Sequence, residues 1–204
     1  MKKTILSLAA AALILLSLGG QAAVAAQADP AAAQVEAFDN SLLAAMKAGK
    51  AVGAKGRARQ LAPAVQRAFD LPSMTSFAVG PAWSQFTPAQ KQQVIEAFTR
   101  LSVASWAHNF DSYSGEQFVI DPNVQTRGTD KVVQTKLTRP GGDPVSLIFR
   151  MRQVGGSWKI IDVYYGAISQ LTTRRSDFAG PVASGGAAGL VAHLNQLTDN
   201  LLKT

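Results

Sequence analysis

The carboxylate with the clearest chemical potential is Asp162, which interrupts the apolar run Trp-Lys-Ile-Ile-Asp-Val-Tyr-Tyr at residues 158–165. Burial without donors would raise its pKa and make it a general base in a conical pocket. Hydrogen bonds from backbone amides or from Arg and Lys would instead make it a structural carboxylate at the end of a strand. No second acid or base stands near it in a motif, so the structural role is the stronger reading. His108, beside Asn109 and Asp111, suggests a hydrolase, but His193 is far away in sequence. The chain has no Gly-x-Ser-x-Gly turn, no His-Glu-x-x-His, no Gly-x-Gly-x-x-Gly and no phosphate loop. His108 therefore reads as a residue on the polar face of a helix. The absence of cysteine excludes thiol catalysis, disulfides, zinc–thiolate sites and a lipid-modified cysteine. No catalytic residue, metal ligand or cofactor site is assigned.

Two further sets are open in both directions. Arg174 and Arg175 can bind a phosphate, or pair with Asp177 and the last carbonyls of their helix. Phe69, Met74, Phe77, Trp83, Phe98, Trp106, Phe110, Phe149 and Met151 either fill a core or line a dry cavity. A cavity on the order of several hundred Å³ would suit lipid tails. Periodicity does not distinguish a filled interior from a hollow one.

Helices come first among the elements that must position these groups. Asp29-Pro30 is an N-cap followed by proline at the first helical position, and Val35, Phe38, Leu42, Leu43 and Met46 give that helix one apolar face up to Gly49. Residues 47–59, rich in glycine and in Lys47, Lys50, Lys55, Arg57 and Arg59, predict a solvated turn into a second helix over 57–69. Pro72 opens a short third helix that Gly80-Pro81 stops. Thr87-Pro-Ala-Gln90 is a capping box for the longest helix, expected to reach about Tyr113, with Ile95, Phe98, Ser102, Trp106 and Phe110 on one stripe.

The period then changes to two. Strands are predicted at 118–120, 131–138, 145–154 and 158–165, with turns at 140–143 and 155–156. Val145, Leu147, Phe149 and Met151 point one way, and Arg150 and Arg152 the other, as in a sheet with one buried and one wet face. A short helical segment with Ile168 and Leu171, a small-residue loop at 184–189 and a last helix with Leu190, Leu194, Leu197 and Leu201 complete the chain. The expectation is one α+β domain: a four-stranded antiparallel meander covered on one face by helices, with an apolar cavity between, NTF2-like in outline.

Residues 1–25 read as a cleavable secretory signal peptide: Lys2 and Lys3, an apolar run to Leu18, then Ala23-Val-Ala25, with the cut expected after Ala25. Residues 26–204 form the expected domain, placed outside the cytoplasm. The chain carries 20 basic and 13 acidic residues, and without Lys2 and Lys3 the balance is 18 to 13. Such a protein is drawn to anionic surfaces such as phospholipid headgroups. Export argues against nucleic acid as the partner.

The segment Trp158-Lys-Ile-Ile-Asp162-Val-Tyr-Tyr-Gly166-Ala-Ile-Ser169-Gln-Leu-Thr172 resembles the closing strand and turn of the MlaC/Ttg2D ("toluene tolerance") family. Leu71-Pro-Ser-Met74, Gly80-Pro-Ala-Trp83, Phe98 and Trp106 match in the same order. The run from Gly166 to Phe178, with Gly185-Gly186 and Leu190, is closer to the hopanoid-biosynthesis-associated HpnM subfamily. The resemblance implies a soluble periplasmic carrier, without catalysis, cofactor or metal. Such a carrier holds the apolar part of a phospholipid or hopanoid and exchanges it with an inner-membrane ABC transporter complex and an outer-membrane lipoprotein complex. Carried over by position, Met74, Trp83, Phe98, Trp106, Leu147, Phe149, Met151 and Val163 would line the cavity, with Tyr165, Ile168 and Leu171 at its mouth. Lys47, Lys50, Lys55, Arg57, Arg59, Arg174 and Arg175 would face headgroups or a partner, with transient membrane-surface contact. The alternatives are an NTF2-like pocket enzyme using Asp162, and a pocketless adaptor that binds proteins through its basic surface.

Overall fold

The structure, a computed structural model, describes residues 29–203; the expected leader lies outside them. Helix α1 (Pro30–Ala48) begins where Asp29 accepts a hydrogen bond from the Ala31 amide at 2.9 Å. A 3-10 turn (Gly49–Val52) leads into α2 (Gly53–Ala68), so much of the glycine-rich basic run is helical rather than a solvated turn. Arg57 shows why. Its guanidinium is buried and donates to the Ala107 and Gly49 carbonyls, each at 2.9 Å, pinning the start of α2 to a distant helix end. Helix α3 (Leu71–Val79) is capped by Asp70, and α4 (Pro88–Asn109) by the reciprocal Thr87–Gln90 box. Helix α4 ends one turn before Tyr113.

The sheet has six strands rather than the four expected. They are β1 (Gln117–Ile120), β2 (Gln125–Arg127), β3 (Asp130–Thr138), β4 (Val145–Val154), β5 (Ser157–Tyr165) and β6 (Ile168–Ser169). All pairings are antiparallel, in the order β1-β3-β4-β5-β6, and β1 and β2 pair with successive lengths of the same β3 edge. Strand β2 is exposed throughout, so burial writes no alternation into it. Strand β6 replaces the helical turn expected around Ile168. The last helix, α5 (Gln170–Leu201), also runs through the expected loop at 184–189. It is kinked at Gly186, whose φ of 55° and ψ of −143° are non-helical. A Cβ on Gly189 would lie 3.0 Å from the Pro181 carbonyl oxygen, so glycine permits the close turn beside the kink.

The helices cover one face of the sheet. Phe38 of α1 sits at the centre, edge-on to Phe69 (5.1 Å), Trp106 (5.0 Å) and Phe149 (6.3 Å). Leu147, Phe149 and Met151 are fully buried on the inner face of β4. On the outer face Arg150 and Arg152 clamp Asp130 through contacts of 2.7 to 2.9 Å. Between β4 and β5 the register shifts at Arg150/Met151, leaving Ile161 unpaired. The bulge changes parity, so Ile160 and Val163, three residues apart, are both buried.

Candidate functional site

Four elements enclose a cleft at one end of the molecule. Helix α4 lends Phe98, Leu101, Ser102, Ser105, Trp106 and Asn109, a single stripe spaced by three and four residues. Helix α3 supplies Met74, the end of β5 supplies Asp162, Val163 and Tyr165, the first turns of α5 supply Gln170, Leu171 and Arg174, and Phe69 completes the wall. The hollow measures about 100 Å³. That is well short of the several hundred Å³ expected. A second hollow of about 240 Å³ adjoins it, sharing Leu101, Ser105, Asn109 and Arg174 and bounded outside by Leu197, Asn200 and Leu201.

Asp162 holds this end together. Its Oδ1 accepts from the amides of Val163 (2.8 Å) and Leu171 (3.1 Å), and its Oδ2 accepts from the Ser169 hydroxyl at 2.6 Å. Ser169 in turn caps α5 by accepting from the Thr172 amide at 3.0 Å. The carboxylate is thus a latch between β5 and α5, the structural role its sequence context favoured. Three donors, two of them backbone amides, hold it in that position. Tyr165 leans into the cleft, and burial raises its pKa against a hydrogen bond with Asn109 that lowers it. Among the described residues no cluster of three or more His, Cys, Asp or Glu could hold a metal ion. Nor is any described helix long and apolar enough to cross a membrane.

The family model of the MlaC protein matches residues 36–196, which takes in both the sheet and every element lining the cleft. The chain belongs to the MlaC protein family. The toluene tolerance protein Ttg2D of Pseudomonas putida is 26% identical over 123 residues. That match spans 56% of this chain and 57% of the relative's own length. Among solved structures, a phospholipid-binding protein from Ralstonia solanacearum, determined in complex with a phospholipid, is similar with a TM-score of 0.73 and 25% identity. The likeness covers 85% of this chain and 99% of that one.

Within this MlaC-family fold the sequence-derived site residues divide. Met74, Phe98, Trp106, Val163, Tyr165 and Leu171 meet at the cleft. Leu147, Phe149 and Met151 do not line it: all three are fully buried in the core, Phe149 edge-on to Phe38 of α1. Trp83 lies on the 3-10 turn Gly80–Gln85, against Phe86 and beneath the Lys91 ammonium. Ile168 points to solvent from β6, 63% exposed. Of the cations, Lys47, Lys50, Lys55, Arg59 and Arg175 are exposed and Arg57 is buried, which removes it from any partner surface. Arg174 is the member of that set that borders the cleft. Leu101, Ser102, Ser105, Asn109 and Gln170 border it too and were missed. The signal for the four on α4 was their place on the same stripe as Phe98 and Trp106.

Proposed function

We propose that this MlaC-family chain is a soluble periplasmic carrier that encloses the apolar part of a membrane lipid and moves it between outer and inner membranes. The observation that carries the reading is the cleft: apolar walls from α3, α4 and β5, closed by a polar rim from α4 and α5, at one end of a fold shared with a phospholipid-bound protein. Each methylene kept from water contributes about 0.8 kcal/mol, so a sixteen-carbon tail crosses an aqueous gap at a cost of roughly 12 kcal/mol unless it is sheltered. A hollow of about 100 Å³ does not hold such a tail. Under this reading the cleft widens on loading. Passive holding needs no bond cleavage, consistent with a latched Asp162.

The cargo under this reading is a phospholipid or, following the HpnM-like run after Gly166, a hopanoid. Delivery runs through an ABC transport pathway, with an inner-membrane transporter and an outer-membrane lipoprotein complex as partners. Export depends on residues 1–25 as a leader cut after Ala25. Native mass spectrometry of the full-length gene product, recovered from the periplasm, tests the core of this. The processed chain should arrive with one or more lipid masses that organic solvent removes. A protein that is lipid-free, and that takes up no lipid from vesicles, would sink the carrier reading.

A further inference from the structure

The outer face of the sheet, opposite the helices, is not uniformly polar. Register sets Ile148 of β4 between Gln134 of β3 and Tyr164 of β5, with Val132 beside Arg150. Val132, Ile148 and Tyr164 are half-buried there. They floor a trough of about 610 Å³, walled by β2 through Gln125 and Arg127 and by the β5–β6 turn through Gly166 and Ala167. A second hollow of about 370 Å³ shares Arg150 and Tyr164 with it and extends to Arg152, Ile161 and Phe77 of α3, whose ring is 46% exposed. The charges along this trough are cationic. Arg150 and Arg152 turn Nε and Nη2 to Asp130, which leaves Nη1 of both uncommitted among the described residues. Arg127 is exposed, and Lys136 lies on the same face of β3. Asp130 and Asp70 offset part of this charge at Arg152. The acidic residue lining the two hollows is Asp162, whose oxygens already accept three internal hydrogen bonds.

We propose that this trough is a docking groove for an acidic segment of a partner protein, anchored by apolar side chains. Guanidinium groups match carboxylates in planar, two-point contacts, and the two outer-face arginines of β4 are held in place by Asp130 before any partner arrives. An extended segment alternates its side chains, so apolar residues can meet the floor of Val132, Ile148 and Tyr164 while acidic neighbours reach the arginines on the rim. A bilayer surface is flat on this scale and would rest on the rims, leaving the apolar floor uncovered. The groove also reaches the cleft: Met74, Asp162 and Leu171 border both the second hollow and the cleft, so a docked segment ends against the cleft wall. The proposal concerns a protein surface and stands whether or not the cleft carries lipid.

The test uses the full mature chain, labelled with nitrogen-15 and titrated with a short peptide that alternates leucine and glutamate, with amide shifts read by NMR. Shifts should gather at Arg127, Gln134, Ile148, Arg150 and Tyr164. A peptide alternating leucine and lysine should leave these amides unmoved, a comparison that needs no variant to fold. A peptide alternating serine and glutamate should bind roughly tenfold more weakly or worse, because the floor then gains no apolar contact. Arg127→Glu, on the exposed strand β2, should weaken the leucine–glutamate peptide by about tenfold, the order expected for one charge-assisted pair. The same variant should carry as much co-purified lipid as its parent, which separates this result from the carrier reading. No shifts, shifts gathered at the cleft instead, equal binding of the lysine peptide, or binding indifferent to Arg127→Glu would each overturn the proposal. Vesicles of dioleoyl-phosphatidylglycerol that broaden these same amides in an Arg127-dependent way, where the peptide does not move them, would assign the face to a membrane surface and overturn it as well.

Discussion

Asp39 stands on the buried face of α1, 2% exposed, and looks towards Thr135 of β3. Among the described residues neither carboxyl oxygen nor the Thr135 hydroxyl reaches a hydrogen-bond partner. Burial pushes its pKa from 3.8 to about 8; Thr135 lowers it in part and the nearby Glu36 charge raises it further. The folded chain therefore keeps this proton through a range in which the unfolded chain has lost it. Stability from this group is fully present below pH 4, declines by up to about 1.4 kcal/mol per pH unit between pH 4 and 8, and is level above that. At pH 7 the accumulated penalty is up to about 4 kcal/mol, a large share of a domain's ordinary margin. Asp39→Asn has the shape of the protonated side chain and no charge to lose. The assay is urea denaturation followed by circular dichroism at pH 5, 6, 7, 8 and 9, for both proteins in one buffer series. Subtracting one curve from the other cancels every other titrating group. The variant's advantage should grow by up to about 3 kcal/mol from pH 5 to pH 7 and stop growing above pH 8. A difference that stays constant across the series would refute the raised pKa and the buried, unpartnered carboxyl behind it.

Asp130 behaves in the opposite sense: Arg152 and Arg150 hold its carboxyl below the ordinary range, so its contribution is present above pH 4 and lost as pH falls through the lowered value. Asp130→Asn should lower the midpoint of thermal unfolding at pH 7 by an amount equivalent to about 2 kcal/mol, the arginine side being half exposed, and the loss should shrink towards pH 3. Asp162→Ala removes three hydrogen bonds, two of which, from Ser169 and Leu171, tie β5 to the start of α5, and thermal melts should register a loss of about 3 kcal/mol together with faster release of bound lipid. Finally, Ser102→Trp places a large ring in the hollow. Co-purified lipid, read by native mass spectrometry, should fall to background while the far-ultraviolet spectrum stays that of the parent; undiminished lipid would place the tails elsewhere.

Local chemistry was written plainly in the chain. Asp29-Pro30, Asp70 with Pro72 and the Thr87–Gln90 box set where three helices start, because a cap satisfies amides within three residues of itself. The alternation through 145–152 assigned the inner and outer faces of β4 for the same reason: side chains on a strand take sides by parity. What parity cannot carry is the partner across the gap. Phe149 is filled core rather than cavity wall because Phe38, more than a hundred residues earlier, lies edge-on to it. Arg57 is a buried strut because the Ala107 carbonyl, 50 residues on, accepts a hydrogen bond from its guanidinium. Strands β2 and β6 left no mark because exposed edges are under no pressure to alternate. The bulge at Ile161 moved Asp162 opposite Arg150, although simple alternation sets it on the face of Ile160. Sequence alone determined the α+β plan, its caps, the faces of β4 and the resemblance to the MlaC family. Only the tertiary structure decided which apolar side chains enclose space and which fill it, since hollow and core share one composition and differ in what packs against them.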